Sequence, residues 1–503
     1  MATPLGRLPI APLSIALVPL DDRPCNRQFP QQLAEITGGR LALPPREHLG
    51  WFTRPGNCEA IAAWLQETPA DRLVISLDML CYGGLVASRS LAVGEDLALS
   101  RLAALRDLRQ ARPELTIYAS SIVMRLGTTV ASPEALPVHQ ALCSFSQLVD
   151  RVERLGDEAA RPELEAVAAA LGPALLAEYL GVRRRNHGIN RAAVGLVADG
   201  VLDYLILAQE DAAPVGIHMP ELSALRTQAE EFRVSDRIAI HPGADEAGLT
   251  LLARHHLQAA GRPVLLAVDY ATAEGAAAIP EFEHQPLYET VVSHIRAAGA
   301  RLTPADGADA VLFVHTPTQG QSPGPAAQAE SLVERTRTAQ ASGLIVGLAD
   351  VAQPNGADPE LVAALRRSGG ASHLSAFAGW NTAANTLGTA ISQLCLSAAG
   401  PATASGAAAS ARFLACRLID DYGYQSCVRP RASARASAAG ANPYALGEAR
   451  PEMEGFVRRE LEPFAHETYS DLLDAAWSAS WERARVSLPW HRLFEVEVDI
   501  SSA

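Results

Sequence analysis

Lysine is absent from this chain of 503 residues, so the 42 basic residues are all arginine, set against 56 acids for a formal net charge of -14. Beside so much alanine, that bias reflects a GC-rich coding composition more than arginine chemistry. Neutralising nucleic-acid phosphates needs a basic surface, and this balance argues against a nucleic-acid partner. Long apolar runs are missing too, and no stretch approaches the length of a membrane span. The N-terminal segment MATPLGRLPIAPLSIALVPLDDRP runs into a strand-like stretch without a basic region and a full apolar core. The seven cysteines (Cys25, Cys58, Cys81, Cys143, Cys395, Cys416 and Cys427) are scattered and contain no CxxC pair. Neither a disulfide framework nor a cysteine zinc site is indicated, and the expectation is a cytoplasmic protein with reduced thiols. No GxGxxG follows the first apolar run, and P-loop and HExxH motifs are lacking. Nucleotide-driven chemistry loses weight accordingly.

Hydrophobic residues make up 48% and charged residues 19%, a globular balance. The dominant pattern is an acid at the point where a short apolar run becomes a loop. It recurs at Asp21 and Asp22, Asp78, Glu210 and Asp211, Asp245 and Glu246, Asp269, and Asp350. Apolar runs that alternate with helical stretches read as buried parallel strands. The loops at their carboxyl ends converge on one face, where ligands bind. A carboxylate beside a buried strand is costly unless it is paired or used. Repetition at equivalent positions therefore points to a site.

Strands are predicted near 14–19, 73–77, 116–121, 204–209, 237–241, 264–268, 310–315, 344–348 and 374–378, with amphipathic helices between most of them. The class is α/β with parallel strands. A (β/α)8-like barrel is slightly favoured over two doubly wound sheets in tandem. Residues 1–260 make a first α/β part, interrupted by a helical insertion at 132–200. Residues 261–396 make a second, and 413–503 a helical and mixed C-terminal region. The small-residue stretches 397–412 and 430–442 read as flexible linkers.

Asp21 and Asp22 form one acidic pair and Glu210 and Asp211 a second, and these four are the candidate catalytic acids and base. Paired carboxylates at strand ends suit hydrolases that cleave sugars. Arg23, Asp78, Tyr82, Gly83, Gly84, Gln209, Asp245, Glu246, Trp380, Asn381 and Asn385 are candidate substrate-binding residues. Amides and a tryptophan suit a polyhydroxylated ring, and the Gly83-Gly84 pair permits close backbone approach. His241, Asp245 and Glu246 are the local candidates for a metal site, but their spacing matches no zinc signature. Asp245 serves equally well as a helix cap. The expectation is no cofactor and no tightly held transition ion.

The blocks VPLDDRPCN, SLDMLCYGGLVASR, QEDA, HPGADE and GWNTAANTLG together resemble a bacterial family, domain of unknown function 4127. The resemblance spans nearly the whole chain and implies that these blocks form one assembly in an α/β fold. It carries no reaction. The chemistry of the residues points to a hydrolase of a glycoside or other polyhydroxylated small molecule. The alternatives are a metal-dependent hydrolase or lyase, and a non-catalytic sugar- or metabolite-binding protein whose acids are neutralised by Arg23, Arg89 and Arg125.

Overall fold

A computed structural model describes residues 14–317, 324–400, 403–468 and 485–500. The strands run β1 Ser14–Val18, β2 Arg40–Ala42, β3 Arg72–Ser76, β4 Thr116–Val123, β5 Tyr204–Gln209 and β6 Ile238–Pro242, then β7 Leu265–Tyr270, β8 Arg301–Leu302, β9 Ala310–His315, β10 Ile345–Asp350 and β11 Ala376–Ala378. A short antiparallel hairpin, β12 Arg485–Ser487 and β13 Glu497–Asp499, lies near the carboxyl end. Each of the nine predicted strands is present, and the two missed within the sheets, β2 and β8, are only three and two residues long.

Strands β1 to β11 divide between two parallel sheets, with orders β2-β1-β3-β4-β5-β6 and β11-β10-β9-β7-β8. The slightly favoured barrel does not close. Counted from its own first strand, each sheet contains the order 2-1-3-4-5 of doubly wound proteins, and the first adds a sixth strand. Alternation of strand and helix is common to both arrangements, so local periodicity does not separate them.

Side-chain alternation assigns the faces. Ile15 and Leu17 of β1 enter one core while Ala16 and Val18 enter another, and Leu205 to Ala208 of β5 divide in the same way. In the second sheet Leu312 and Val314 share the core of Ile15, whereas Val311 and Phe313 point to a third. The molecule is therefore layered, with the middle core shared by both sheets. Helices Pro24–Ile36, Ala247–Ala259, Leu287–Ala297 and Ala383–Ala399 contribute to it. Burial of this apolar surface is the main stabilising term, at about 1.5–3 kcal/mol for each large aliphatic side chain.

Helices Ala135–Glu153, Arg161–Leu171 and Pro173–Ala198 fill the connection from β4 to β5, where the helical insertion was expected. The chain bends by 101° around Gly172, whose φ of 78° suits glycine. Both predicted linkers differ from expectation. Helix Ala383–Ala399 runs into the first, helix Ala404–Arg417 covers most of the rest, and helix Arg429–Ala438 occupies the second. Alanine is the best helix former, and Ala398, Ala409, Ala432 and Ala436 are buried. A π-helix, Leu418–Val428, joins two of these segments. Among the described residues, no single helix is long and apolar enough to cross a membrane.

Candidate functional site

Register places the strand ends at one level: Val123, Gln209 and Pro242 are neighbours across β4, β5 and β6. The loops that follow meet loops of the second sheet around a cavity of about 270 Å³. From the first sheet come Arg23, Arg89, Arg125, Gln209, Glu210, Asp211 and Asp245; from the second come Asn355, Asn381 and Asn385. Trp490, Arg492 and Phe494, in the loop between β12 and β13, close one side. Of seven non-glycine residues with positive φ among those described, four border this cleft: Asp211, Phe282, Asn355 and Asn381. Left-handed backbone at asparagine is mild, at phenylalanine costly, and such strain gathers at functional sites.

The charges are organised around arginines. Arg23 lies between two acids. Its Nη1 and Nη2 donate to the Asp245 carboxylate at 3.0 and 2.5 Å, and its Nε and Nη2 donate to Asp21. All three residues are buried, and the guanidinium also stacks 4.7 Å from the Trp490 ring. Burial pushes the Asp245 carboxyl up while Arg23 pulls it down. One cation is shared by two carboxylates, so burial prevails and the Asp245 carboxyl sits above its ordinary range. Asn381 Nδ2 donates to Asp245, and Asn385 Oδ1 accepts its backbone N–H at 3.0 Å. Across the cleft, Arg89 donates to Glu210 Oε1 and, at 2.7 Å, to Thr129. Arg125 donates to Asp211 and lies 3.9 Å from Glu210. Glu210 Oε2 and Gln209 Oε1, both in residues lining this cleft, are buried without a hydrogen-bond partner.

A family model described as "Protein of unknown function (DUF4127)" matches residues 15–499. The chain belongs to that family. No curated protein and no solved structure matches it.

Seven of the predicted site residues of this DUF4127 chain share the cleft: Arg23, Gln209, Glu210, Asp211, Asp245, Asn381 and Asn385. The others lie elsewhere. Asp21 and Asp22 border a smaller adjoining pocket with Gly83, Gly84 and Trp490. Asp21 is held by Arg23 and by Asn26 Nδ2 at 2.9 Å, and Asp22 accepts the Trp490 indole N–H at 2.5 Å. Gly83 brings backbone against backbone, because a Cβ there would stand 2.6 Å from Gly56 N. Tyr82 is buried under the Arg185 guanidinium. Trp380 packs edge-on against Phe29 and donates to Thr389 Oγ1 in an adjoining crevice. The strand-end acids Asp269 and Asp350 are also structural. Asp269 pairs with Arg335, while Asp350 accepts the backbone N–H of Asp358 at 2.6 Å.

Two readings of the HPGADE loop in the DUF4127 chain need correction. Asp245 does not cap helix Ala247–Ala259, which lacks any side-chain cap bond. Nor does Asp245 join His241 and Glu246, because its carboxylate is committed to Arg23. The third member of that group is His294, nearly fifty positions downstream on helix Leu287–Ala297, and all three are fully buried. Sequence reasoning also missed Glu283, which lines the cleft and is pushed by burial to about 7. It left Arg492 and Trp490 unassigned as well; their site role has no local signal, since it depends on where the C-terminal loop docks.

Asp78 is fully buried, and its Oδ2 accepts the Ile122 N–H at 2.9 Å. Burial raises it to about 7, aided by Glu210 and opposed by the Ile122 bond and Arg185. Its folded-state value lies above its unfolded one, so the native state holds a proton that the unfolded chain releases. Stability from this group is present at low pH and is lost as pH rises from about 4 to 7. Asp78→Asn should therefore flatten the pH dependence of urea unfolding in that window and stabilise the protein at pH 8. An unchanged pH slope in the variant would contradict this assignment.

Proposed function

We propose that this protein is a hydrolase of a glycoside or other small polyhydroxylated substrate, working by carboxylate acid-base catalysis in the cleft between its two sheets. The observation that carries this reading is Glu210. One oxygen is anchored by Arg89, and the other is desolvated and without a partner in a residue that lines the cavity. A carboxylate held in this way is oriented toward the cavity, as a base or nucleophile requires. Asp211, on the same loop and held by Arg125, is the second carboxylate of the pair. Asn355, Asn381 and the free Gln209 oxygen offer hydrogen bonds to substrate hydroxyls, while Phe282, Phe494 and Leu136 supply apolar walls. Such a mixture of apolar lining and a few convergent polar groups is characteristic of small-molecule sites.

One observation favours a non-catalytic sugar- or metabolite-binding protein instead: Arg23, Arg89 and Arg125 each pair with acids in the cleft. Turnover separates the two readings. The purified protein should be incubated with aryl glycosides, oligosaccharides and sugar acids, with product followed by mass spectrometry and binding by thermal shift. Hydrolysis that saturates with substrate supports the enzyme reading. Stabilisation by a compound that is never converted supports the binding protein.

A further inference from the structure

Beneath the floor of the cleft, three metal-binding side chains meet in a fully buried place. His241 lies one residue before the end of β6, Glu246 immediately precedes the following helix, and His294 reaches in from helix Leu287–Ala297; their ligand atoms lie within 4.8 Å of one another. The hydrogen bonds around them fix which atoms face inward. His241 Nδ1 is 2.7 Å from the Pro242 carbonyl, and His294 Nδ1 is 2.9 Å from the Thr290 carbonyl. A carbonyl only accepts, so both Nδ1 atoms carry the proton. In neutral rings both Nε2 atoms then present lone pairs. His294 Nε2 faces Glu246 Oε1 at 3.1 Å, which sets two acceptors against each other unless a cation lies between them. A proton would satisfy that pair alone. His241 Nε2, in a residue with no solvent exposure, would still have no hydrogen-bond partner.

Supporting contacts hold the group in place. Glu246 Oε2 accepts the Ala244 N–H at 2.8 Å, leaving Oε1 to the histidines. Two glycines make room for the carboxylate: a Cβ at Gly243 would fall 1.9 Å from Glu246 Oε1, and one at Gly388 would fall 2.1 Å from its Cγ. Imidazoles whose second nitrogen is tied to a backbone carbonyl are the usual arrangement in metal sites, where the tie sets tautomer and ring orientation. We infer that His241 Nε2, His294 Nε2 and the Glu246 carboxylate bind one divalent first-row transition ion of the zinc, manganese or iron(II) class. The ion ties β6 to two helices of the shared core, directly behind the loop that carries Asp245 into the cleft. The site needs no particular reaction in the cleft, and its test does not use turnover.

The full chain, stripped with chelator, is titrated at neutral pH with Co²⁺ followed by absorbance, then with Zn²⁺ followed by displacement and melting temperature. The expected result is about one equivalent of tightly bound Co²⁺, displaced by Zn²⁺, with Zn²⁺ raising the melting temperature. His294→Gln and Glu246→Gln should each weaken Co²⁺ binding by about a hundredfold or more. Glu246→Gln keeps an oxygen for the Ala244 N–H, so its circular dichroism should match the parent. Two results would overturn the inference. One is a parent chain that binds neither ion at about a hundred micromolar, where any ordinary structural site saturates. The other is an unchanged Co²⁺ stoichiometry and affinity in a folded Glu246→Gln chain.

Discussion

Replacing Arg23 by methionine is expected to destabilise the protein by about 3–5 kcal/mol in urea unfolding, more than any surface change. The arginine is buried and is shared by Asp21 and Asp245, which are themselves buried. Methionine fills similar volume but leaves two carboxylates without their cation in a place from which water is excluded. Asp245, which burial already pushes up, would then be driven to take up a proton, and the loss should be smaller at low pH. Arg23→Lys should fail nearly as badly, because a single ammonium cannot reproduce the fork that grips both partners. Adding Asp245→Asn to Arg23→Met should recover part of the loss, since the two residues interact directly. A loss of less than about 1 kcal/mol for Arg23→Met would show that the network is solvated, contrary to its burial.

Glu210→Gln is expected to lower turnover per folded molecule by about 10²–10⁴-fold. Its cost to stability is larger than a lone catalytic acid would incur. Glu210 is paired with Arg89, whose side chain is only 6% exposed, so removing the negative charge leaves a buried guanidinium undercompensated. Activity must therefore be compared well below the melting temperature, with the folded fraction measured in the same sample. Asp211→Asn separates the effects further, because Asp211 is more exposed and its partner Arg125 keeps Glu210 nearby. Full activity per folded molecule in Glu210→Gln, on a substrate that the parent cleaves, would remove Glu210 from the mechanism.

The features that were legible in the sequence are local ones. Runs such as YLILAQ and AVLFVH declare buried strands by their length and branching, and both are strands with every residue buried. The acids at their ends follow at once, so Glu210, Asp211 and Asp245 were visible as candidates. Strand order was not visible, because one alternation of strand and helix serves a closed ring and two open sheets alike. Partner choice was equally hidden. Nothing near Glu210 announces Arg89, which is 121 positions away, and nothing near His241 announces His294. Trp380 and the Gly83-Gly84 pair misled for a related reason. Aromatic rings and glycines serve packing as readily as binding, and the neighbours that decide between those uses come from distant segments.

We propose that function resides in the cavity between the carboxyl ends of the two sheets. Val130 lines that cavity from a loop, half-buried and outside every ion pair described above. Val130→Trp would fill the space without disturbing the Arg23, Arg89 or Arg125 networks. Calorimetric titration of this variant with the best ligand found for the parent is the most direct test. Binding should be lost while the melting temperature stays within a few degrees of the parent, as expected for a surface-loop change. Parental affinity in Val130→Trp would place the ligand elsewhere and contradict the account.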